Sequence, residues 1–517
     1  MTTKILLGNE AIARGAFEAG CSVAAAYPGT PSTEILESVA RDYKDIKAQW
    51  SPNEKVALEV AAGASVAGAR ALAAMKHVGL NVAADPLFTF SYTGVNGGLV
   101  IINADDPGAW SSQNEQDNRH LARAAKVPMI EPSSPAEAKE FTKAAFDISE
   151  RFDRPVIVRI TTRIAHSQGM VELGEPRKPV LKEFVRNPQK YVMIPAHARP
   201  RHKFIEDQMP ELIKFSEESG FNRIEWASKK RGIITNGVAY QYVKETCPDD
   251  SVLKIGMPWP LPDKLIREFA EKVEELYVVE ELDPFIENHV KSLGIKATGK
   301  EIIPICGELT PEIVNEALNG VKPVAAPEYK GNLPGRPPRL CSGCPHIFVF
   351  ETLKKLDLTV NGDIGCYTLG VLPPYSAMHS QGCMGASIGM HLGFEKARGH
   401  EMASKSVAVI GDSTFVHSGI TPLIDLVYNK GTGTVLILDN RVTAMTGHQD
   451  HPATGRTLSG EETHELDLEA LCRAVGVKRV FVVDPKDKEN FEKIVSEEVA
   501  TREPSVIISK RKCVLMR

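Results

Sequence analysis

The chain of 517 residues lacks any strong excess of one charge: 61 Lys and Arg stand against 66 Asp and Glu, a formal charge of −5. The two signs are interspersed, so the electrostatic footprint of a nucleic-acid binder is missing and a small substrate is expected. An uninterrupted apolar membrane span is also missing. The best candidate, residues 56 to 75, carries Glu59 and Arg70 and is dominated by Ala and Gly, which reads as a packed internal helix. The opening "MTTKILLGNE" has none of the parts of an export signal. No tandem repeat of short period and no low-complexity tract occurs. Cysteine is scarce, with nine in the whole chain. In so large a protein this speaks for thiols or metal ligands and against a disulfide framework. These absences leave a soluble cytoplasmic protein as the expectation.

A hydrophobic content of 43% supports several cores, and the patterning predicts an α/β protein of three domains with mostly parallel sheets. In the first, 1–185, the strand candidates are "CSVAAAY" (21–27), "LVIINA" (99–104), "VPMIEP" (127–132) and "RPVIVRI" (154–160). Helices are expected to open near Asn9, Ser32, Ser51 and Ser134. A connecting segment, 186–229, holds one long helical pattern near 203–218. A smaller alternating unit, 230–325, runs through "RGIITNG" and "ELYVVEE". A proline-rich linker, 326–340, leads to the last domain, 341–517, with strands "SVAVI", "TVLILDN", "VKRVFVV" and "PSVIISK".

Two strand ends in this last domain carry oxygen donors. "SVAVI" delivers Gly411 and Asp412, and "TVLILDN" ends at Asp439 and Asn440, each at the carboxyl edge of a parallel sheet, where ligands of such folds bind. Thr421 and Pro422 are expected to start the intervening helix, with Ile420, Leu423, Ile424 and Val427 as its buried stripe. Paired carboxylate and amide oxygens suit Mg²⁺, whose octahedron is completed by phosphate oxygens of a cofactor; ordinary capped turns are the plainer alternative.

The Gly-Asp and the later Asn resemble the thiamine diphosphate motif. The stretch "GDSTFVHSGITPLIDLVYNKGTGTVLILDNRVTAMTGHQDHP" (411–452) is similar to the α subunits of indolepyruvate:ferredoxin oxidoreductases. Ser413 departs from the commoner Gly-Asp-Gly but is expected in this subfamily. The resemblance implies two thiamine diphosphate-binding folds, a pyrimidine domain at 1–185 and a diphosphate domain at 341–517, flanking a transketolase C-terminal-like domain at 230–325. It implies that Asp412 and Asn440, with the carbonyl of Val442, bind Mg²⁺. Gly365, Cys366, Tyr367, Gly382, Cys383, Met384, Gly411, Ser413, Thr443 and Met445 would then surround the cofactor. Met445 stands where related pyruvate enzymes carry a substrate-contacting Asn, and a more apolar pocket suits an arylpyruvate.

"LCSGCPH" contains Cys341 and Cys344, followed by Cys366 and Cys513. Four soft ligands suit an iron–sulfur cluster or zinc. The resemblance favours one 4Fe-4S cluster on these four residues. Related subunits continue into a ferredoxin-like domain with further clusters; this chain ends at Arg517, so electrons are expected to leave to a separate ferredoxin or other carrier. Cys21, Cys247, Cys306, Cys383 and Cys472 read as packing residues.

By the same resemblance Glu54 engages the aminopyrimidine of the cofactor. As a sequence, Ser51-Pro52-Asn53-Glu54 is equally a capping box. Thr30 in "AYPGTPST" would reach the 2-oxo acid. The polar stretch "ADDPGAWSSQNEQDNR" (104–119) offers Ser111, Ser112, Gln113 and Asn114 where the pyruvate enzymes place an Arg for the substrate carboxylate. His77 and His379 are further cavity candidates, each also readable as a hydrogen-bonded or surface histidine. The implied activity is oxidative decarboxylation of aryl 2-oxo acids with CoA, giving an acyl-CoA, CO₂ and reduced ferredoxin, in a hetero-oligomer with a small β subunit. A non-oxidative thiamine decarboxylase and a noncatalytic partner-binding subunit are the alternatives, separable by sulfide content and by thiamine diphosphate binding.

Overall fold

A computed structural model describes residues 2–323, 331 and 334–516. Of the expected linker 326–340, residues 326–330, 332 and 333 lie outside the described residues. The chain forms two compact units, Met1–Tyr329 and Lys330–Arg517.

The first unit holds a six-stranded parallel sheet in the order Lys47–Trp50, Val23–Ala26, Ala71–Lys76, Leu99–Asp105, Val156–Thr161, Met129–Ile130. The four strands read from β-rich runs are present. Ala71–Lys76 corrects the reading of 56–75 as one helix: the helix Glu54–Val66 ends and the chain re-enters the sheet. Alanine favours helix in isolation, but this strand is central, its first five residues are buried, and it pairs on both sides. Small side chains there let Leu58, Ala61 and Ala62 of the preceding helix pack against it. Thr2–Leu7 and Gln168–Leu173 form a separate antiparallel pair.

The same unit carries a four-stranded sheet in the order Glu275–Val279, Ser228–Asn236, Asp250–Ile255, Arg223–Glu225, the last strand antiparallel. The helical pattern near 203–218 extends back to Pro195 and accommodates Pro200 and Pro210 within it.

In the second unit all six strands are parallel, in the order Ser380–Gln381, Thr359–Gly362, Ser406–Gly411, Thr434–Asp439, Ser505–Lys510, Arg479–Val483. Alternate residues face opposite layers: Val407, Val409, Leu436 and Leu438 join one core, and Ala408, Ile410, Val435 and Ile437 the other. Burial on both faces explains why these strands read as unbroken apolar runs. Among the described residues no helix is long and apolar enough to cross a membrane.

Candidate functional site

Strand Ser406–Gly411 turns directly into helix at Asp412, and the chain stays helical through Tyr428 with a wider turn over Phe415–Gly419. The expected start at Thr421 is therefore corrected: Pro422 lies inside the helix. Thr421 Oγ1 donates to Ser418 O at 3.5 Å, the carbonyl that the missing N–H of Pro422 leaves without its usual donor. Leu423 and Leu426 are buried, while Ile424 is exposed.

This early start holds Asp412 at the strand tip. Its Oδ1 accepts from Ser413 N at 2.8 Å and its Oδ2 from Arg441 N at 2.9 Å. Asp412 and Asn440 are 2% and 7% exposed. Arg441 occupies the left-handed region at φ 62°, which tightens the turn from Asn440 into Val442. Ser413 and Thr443 join the two tips, with Thr443 Oγ1 donating to Ser413 Oγ at 2.9 Å. Asp439 is pushed up to about 6 by burial and then by the Asp412 charge. Two buried carboxylates, an amide and adjoining hydroxyls form a hard-oxygen donor set of the kind that takes Mg²⁺ and phosphate.

Two histidines that carried no role in the sequence reading complete this cluster. His451 Nδ1 accepts from Ala453 N at 3.4 Å, and its Nε2 stands 3.3 Å from Asp412 Oδ2. His346 Nε2 is 3.5 Å from Asn440 Nδ2. Burial lowers His346 to about 4, so its ring is neutral and accepts from the amide. That orients Asn440 with Oδ1 accepting from Val442 N at 3.4 Å, which leaves its second lone pair for a metal. The proximity of "CPH" and "GHQDHP" to the motifs was a legible signal, though not which donor each histidine would meet.

The thiols assemble on three loops beside these tips. Cys341 to Cys344 form a turn, closed by Cys344 N donating to Cys341 O at 3.0 Å, that leads into the helix Pro345–Lys355. Cys513 lies on the tail after the last sheet strand, where its N–H donates to Asn440 O at 3.0 Å. Cys344 and Cys366 are each pushed up to about 11, by burial first. Cys366, Cys513 and Cys341 add to the shift of Cys344, and Cys513 and Cys341 to that of Cys366. The four sulfurs thus lie within electrostatic reach of one another, and the backbone ties one of them to the oxygen cluster. All nine cysteines are free thiols. Cys306 and Cys383 are exposed, which corrects their reading as packing residues; Cys21, Cys247 and Cys472 are buried as expected.

Asp363 organises the loops carrying the remaining candidates. Its Oδ1 accepts from Ile364 N and Gly385 N, at 2.9 and 2.8 Å, and its Oδ2 from Ser387 N at 3.0 Å. Gly365, Cys366 and Tyr367 are thereby joined to the turn Gly382, Cys383, Met384. Tyr367 is buried, donating to Ile364 O at 2.9 Å, and its ring leaves no room for a Cβ on Gly411, which would sit 2.7 Å from Cε1. Met445 is exposed. His379 is exposed, and its Nδ1 accepts from Val360 N.

In the first unit Glu54 is buried at the start of its helix, and the cap is Asn53, whose side chain accepts from Val56 N at 2.9 Å. Glu54 is thus the first helical residue, not the third after a Ser51 cap, and the expected box does not form. A Cβ on Gly79 would lie 2.7 Å from Glu54 Oε1, so glycine gives the carboxyl its room. Thr30 is partly buried in a turn pinned by Ser32 Oγ to Gly29 O at 2.8 Å. His77 is a core histidine bonded to Asn114 O at 3.1 Å. The 104–119 stretch borders a cavity of about 600 Å³ with Asp283, Ile305 and Cys306.

Comparison with known proteins agrees with this geometry. The model for the thiamine pyrophosphate enzyme C-terminal TPP binding domain matches residues 363–509, and that for pyruvate flavodoxin/ferredoxin oxidoreductase, thiamine diphosphate-binding, matches 14–231. Fold and matches together define a thiamine diphosphate-dependent oxidoreductase. The indolepyruvate oxidoreductase subunits IorA of Archaeoglobus fulgidus and Pyrococcus horikoshii are each 42% identical, over 99% of this chain and 86% of theirs. The chain belongs to this IorA family of 2-oxoacid:ferredoxin oxidoreductase subunits. The 2-oxoglutarate synthase subunit KorA of A. fulgidus is 24% identical over 55% of this chain and 89% of its own. The 2-oxoglutarate:ferredoxin oxidoreductase from Magnetococcus marinus, solved with 2-oxoglutarate, coenzyme A and succinyl-CoA bound, shares the fold: TM-score 0.53 at 17% identity, over 62% of this chain and 65% of that one.

Proposed function

We propose that this chain is the catalytic subunit that oxidatively decarboxylates aryl 2-oxo acids of the indolepyruvate and phenylpyruvate type. CoA takes the acyl group, and electrons pass to ferredoxin or another carrier, in a cytoplasmic hetero-oligomer with a small β subunit. The observation that carries this reading is the hydrogen bond from Cys513 N to Asn440 O, which sets a thiol beside a candidate metal ligand. When bound, thiamine diphosphate supplies the carbanion chemistry of decarboxylation, and an iron–sulfur centre supplies one-electron transfer.

In this reading Asp412, Asn440 and the Val442 carbonyl hold Mg²⁺, with His451 and His346 fixing the two side chains. Ser413 and Thr443 offer hydroxyls to diphosphate oxygens. Glu54 engages the aminopyrimidine and holds its proton, Thr30 reaches the 2-oxo acid, and Met445 gives an aryl group an apolar neighbour. Cys341, Cys344, Cys366 and Cys513 hold one 4Fe-4S cluster. The segments 1–185, 230–325 and 341–517 serve as pyrimidine, transketolase C-terminal-like and diphosphate domains, with 186–229 and 326–340 between them.

The test is anaerobic purification with a β subunit, followed by visible spectroscopy as indolepyruvate, phenylpyruvate and CoA are added. Bleaching that depends on an aryl 2-oxo acid, with sulfide present, is the expected result. Zinc without sulfide, together with aldehyde release, would replace it with the non-oxidative reading.

A further inference from the structure

We propose that Lys76 binds the carboxylate of the 2-oxo acid substrate. The inference deepens the reading of the activity above and rests on it. Lys76 is the last residue of the strand Ala71–Lys76, at the carboxyl edge of the first sheet, where ligands of parallel sheets bind. That strand pairs with Val23–Ala26, which leads into the turn carrying Thr30. The stem of Lys76 packs on the same turn: a Cβ on Gly29 would lie 3.2 Å from both its Cγ and its Cδ.

The ammonium group is under-satisfied. Among the described residues its one hydrogen-bond acceptor is Ser111 O, at 2.8 Å, and no carboxylate pairs with it within 4.0 Å. An ammonium has three donors, so two stay available. Burial lowers Lys76 to about 8, against the opposing charges of Asp106 and then Glu54, while its bond to Ser111 O lies at an exposed position, so the remaining N–H groups are open to an entering ligand.

The neighbouring charged groups are already committed. Asp106 accepts from Ser111 N, Ser112 Oγ and Thr162 Oγ1. Arg159 pairs with Asp105 and Glu131, and Arg119 with Asp117 and Glu280. The stretch carrying Ser111 therefore delivers a backbone carbonyl that aims a lysine from the neighbouring strand. A cation held between the Thr30 turn and Glu54, with two free N–H groups, matches a carboxylate attached to a ketone.

The test uses the complete enzyme with its partner subunit and cofactors, comparing wild type with Lys76→Met, Lys76→Gln and Lys76→Arg. KM and kcat are measured for phenylpyruvate, and Ki for phenylacetone, the same aryl ketone without its carboxylate. Losing one charged hydrogen-bonding partner should raise KM roughly 10- to 100-fold in the Met and Gln variants. Ki for phenylacetone should stay within about twofold, since no charge contact is lost to it, and the Arg variant should recover much of the affinity. An unchanged KM, or equal rises in KM and Ki, which would mark a loosened loop, overturns the assignment while leaving the activity standing. A wild type that turns over no aryl 2-oxo acid overturns the activity reading and this inference with it.

Discussion

Replacing Arg119 by Met should destabilise the first unit more than most single changes. The guanidinium is fully buried and lies 2.5 Å from both Asp117 and Glu280, and it also donates to Glu281 O at 2.9 Å and Asp283 O at 3.1 Å. It links the loop after Leu99–Asp105 to the end of the second sheet. Removing one partner of a buried charge cluster costs about 3–5 kcal/mol, because the carboxylates left behind cannot recover solvation. Part of this is visible in Asp117. Burial alone would raise it, but Arg119 outweighs burial and holds it at about 2, below its ordinary 3.8. At 1.36 kcal/mol per pH unit that drop is worth about 2 kcal/mol. Because the folded value is depressed, the contribution is full above pH 3.8 and fades as pH falls through about 2. All four tryptophans, Trp50, Trp110, Trp226 and Trp259, lie in the first unit, so urea unfolding followed by their fluorescence reads this unit selectively. Adding Glu280→Gln to Arg119→Met should restore part of the loss. A loss under about 1 kcal/mol at pH 7, or a double variant worse than the single, would refute the reasoning.

Glu281, pushed up to about 7 by burial and bonded by Leu309 N at 3.0 Å, acts in the opposite sense. Its folded value is raised, so stability declines as pH climbs from about 4.5 to 7, by roughly 3 kcal/mol; Glu281→Gln should flatten that slope in the same urea assay. Asp412→Asn should weaken Mg²⁺-dependent thiamine diphosphate binding in calorimetry by more than the roughly 10- to 100-fold expected of His451→Leu, which removes only a neighbour of the ligand. Cys366→Ser should lose visible absorbance, iron and sulfide, whereas Cys472→Ser, in an apolar core, should keep all three.

Residue order alone determined the elements that need only local chemistry. Unbroken apolar runs marked the strands of the second unit, since burial on both faces removes any alternation. Asp412 and Asn440 were legible because polar residues at the ends of such runs fall at one sheet edge. Cys341 and Cys344 were legible from their spacing. Other features depended on which segments became neighbours. Ala71–Lys76 is a strand because it is sandwiched at the centre of a sheet, against the preference of alanine; with 56–75 read as helix, nothing marked Lys76, the next residue, as the end of a strand. The wider helical turn that carries Asp412 into its helix accommodates Pro422, which read as a helix start. His346, His451 and Asp363 acquire roles through partners between 22 and 94 positions away. Tertiary packing alone set those pairings, because a buried donor or acceptor takes whichever complementary atom the fold brings within reach.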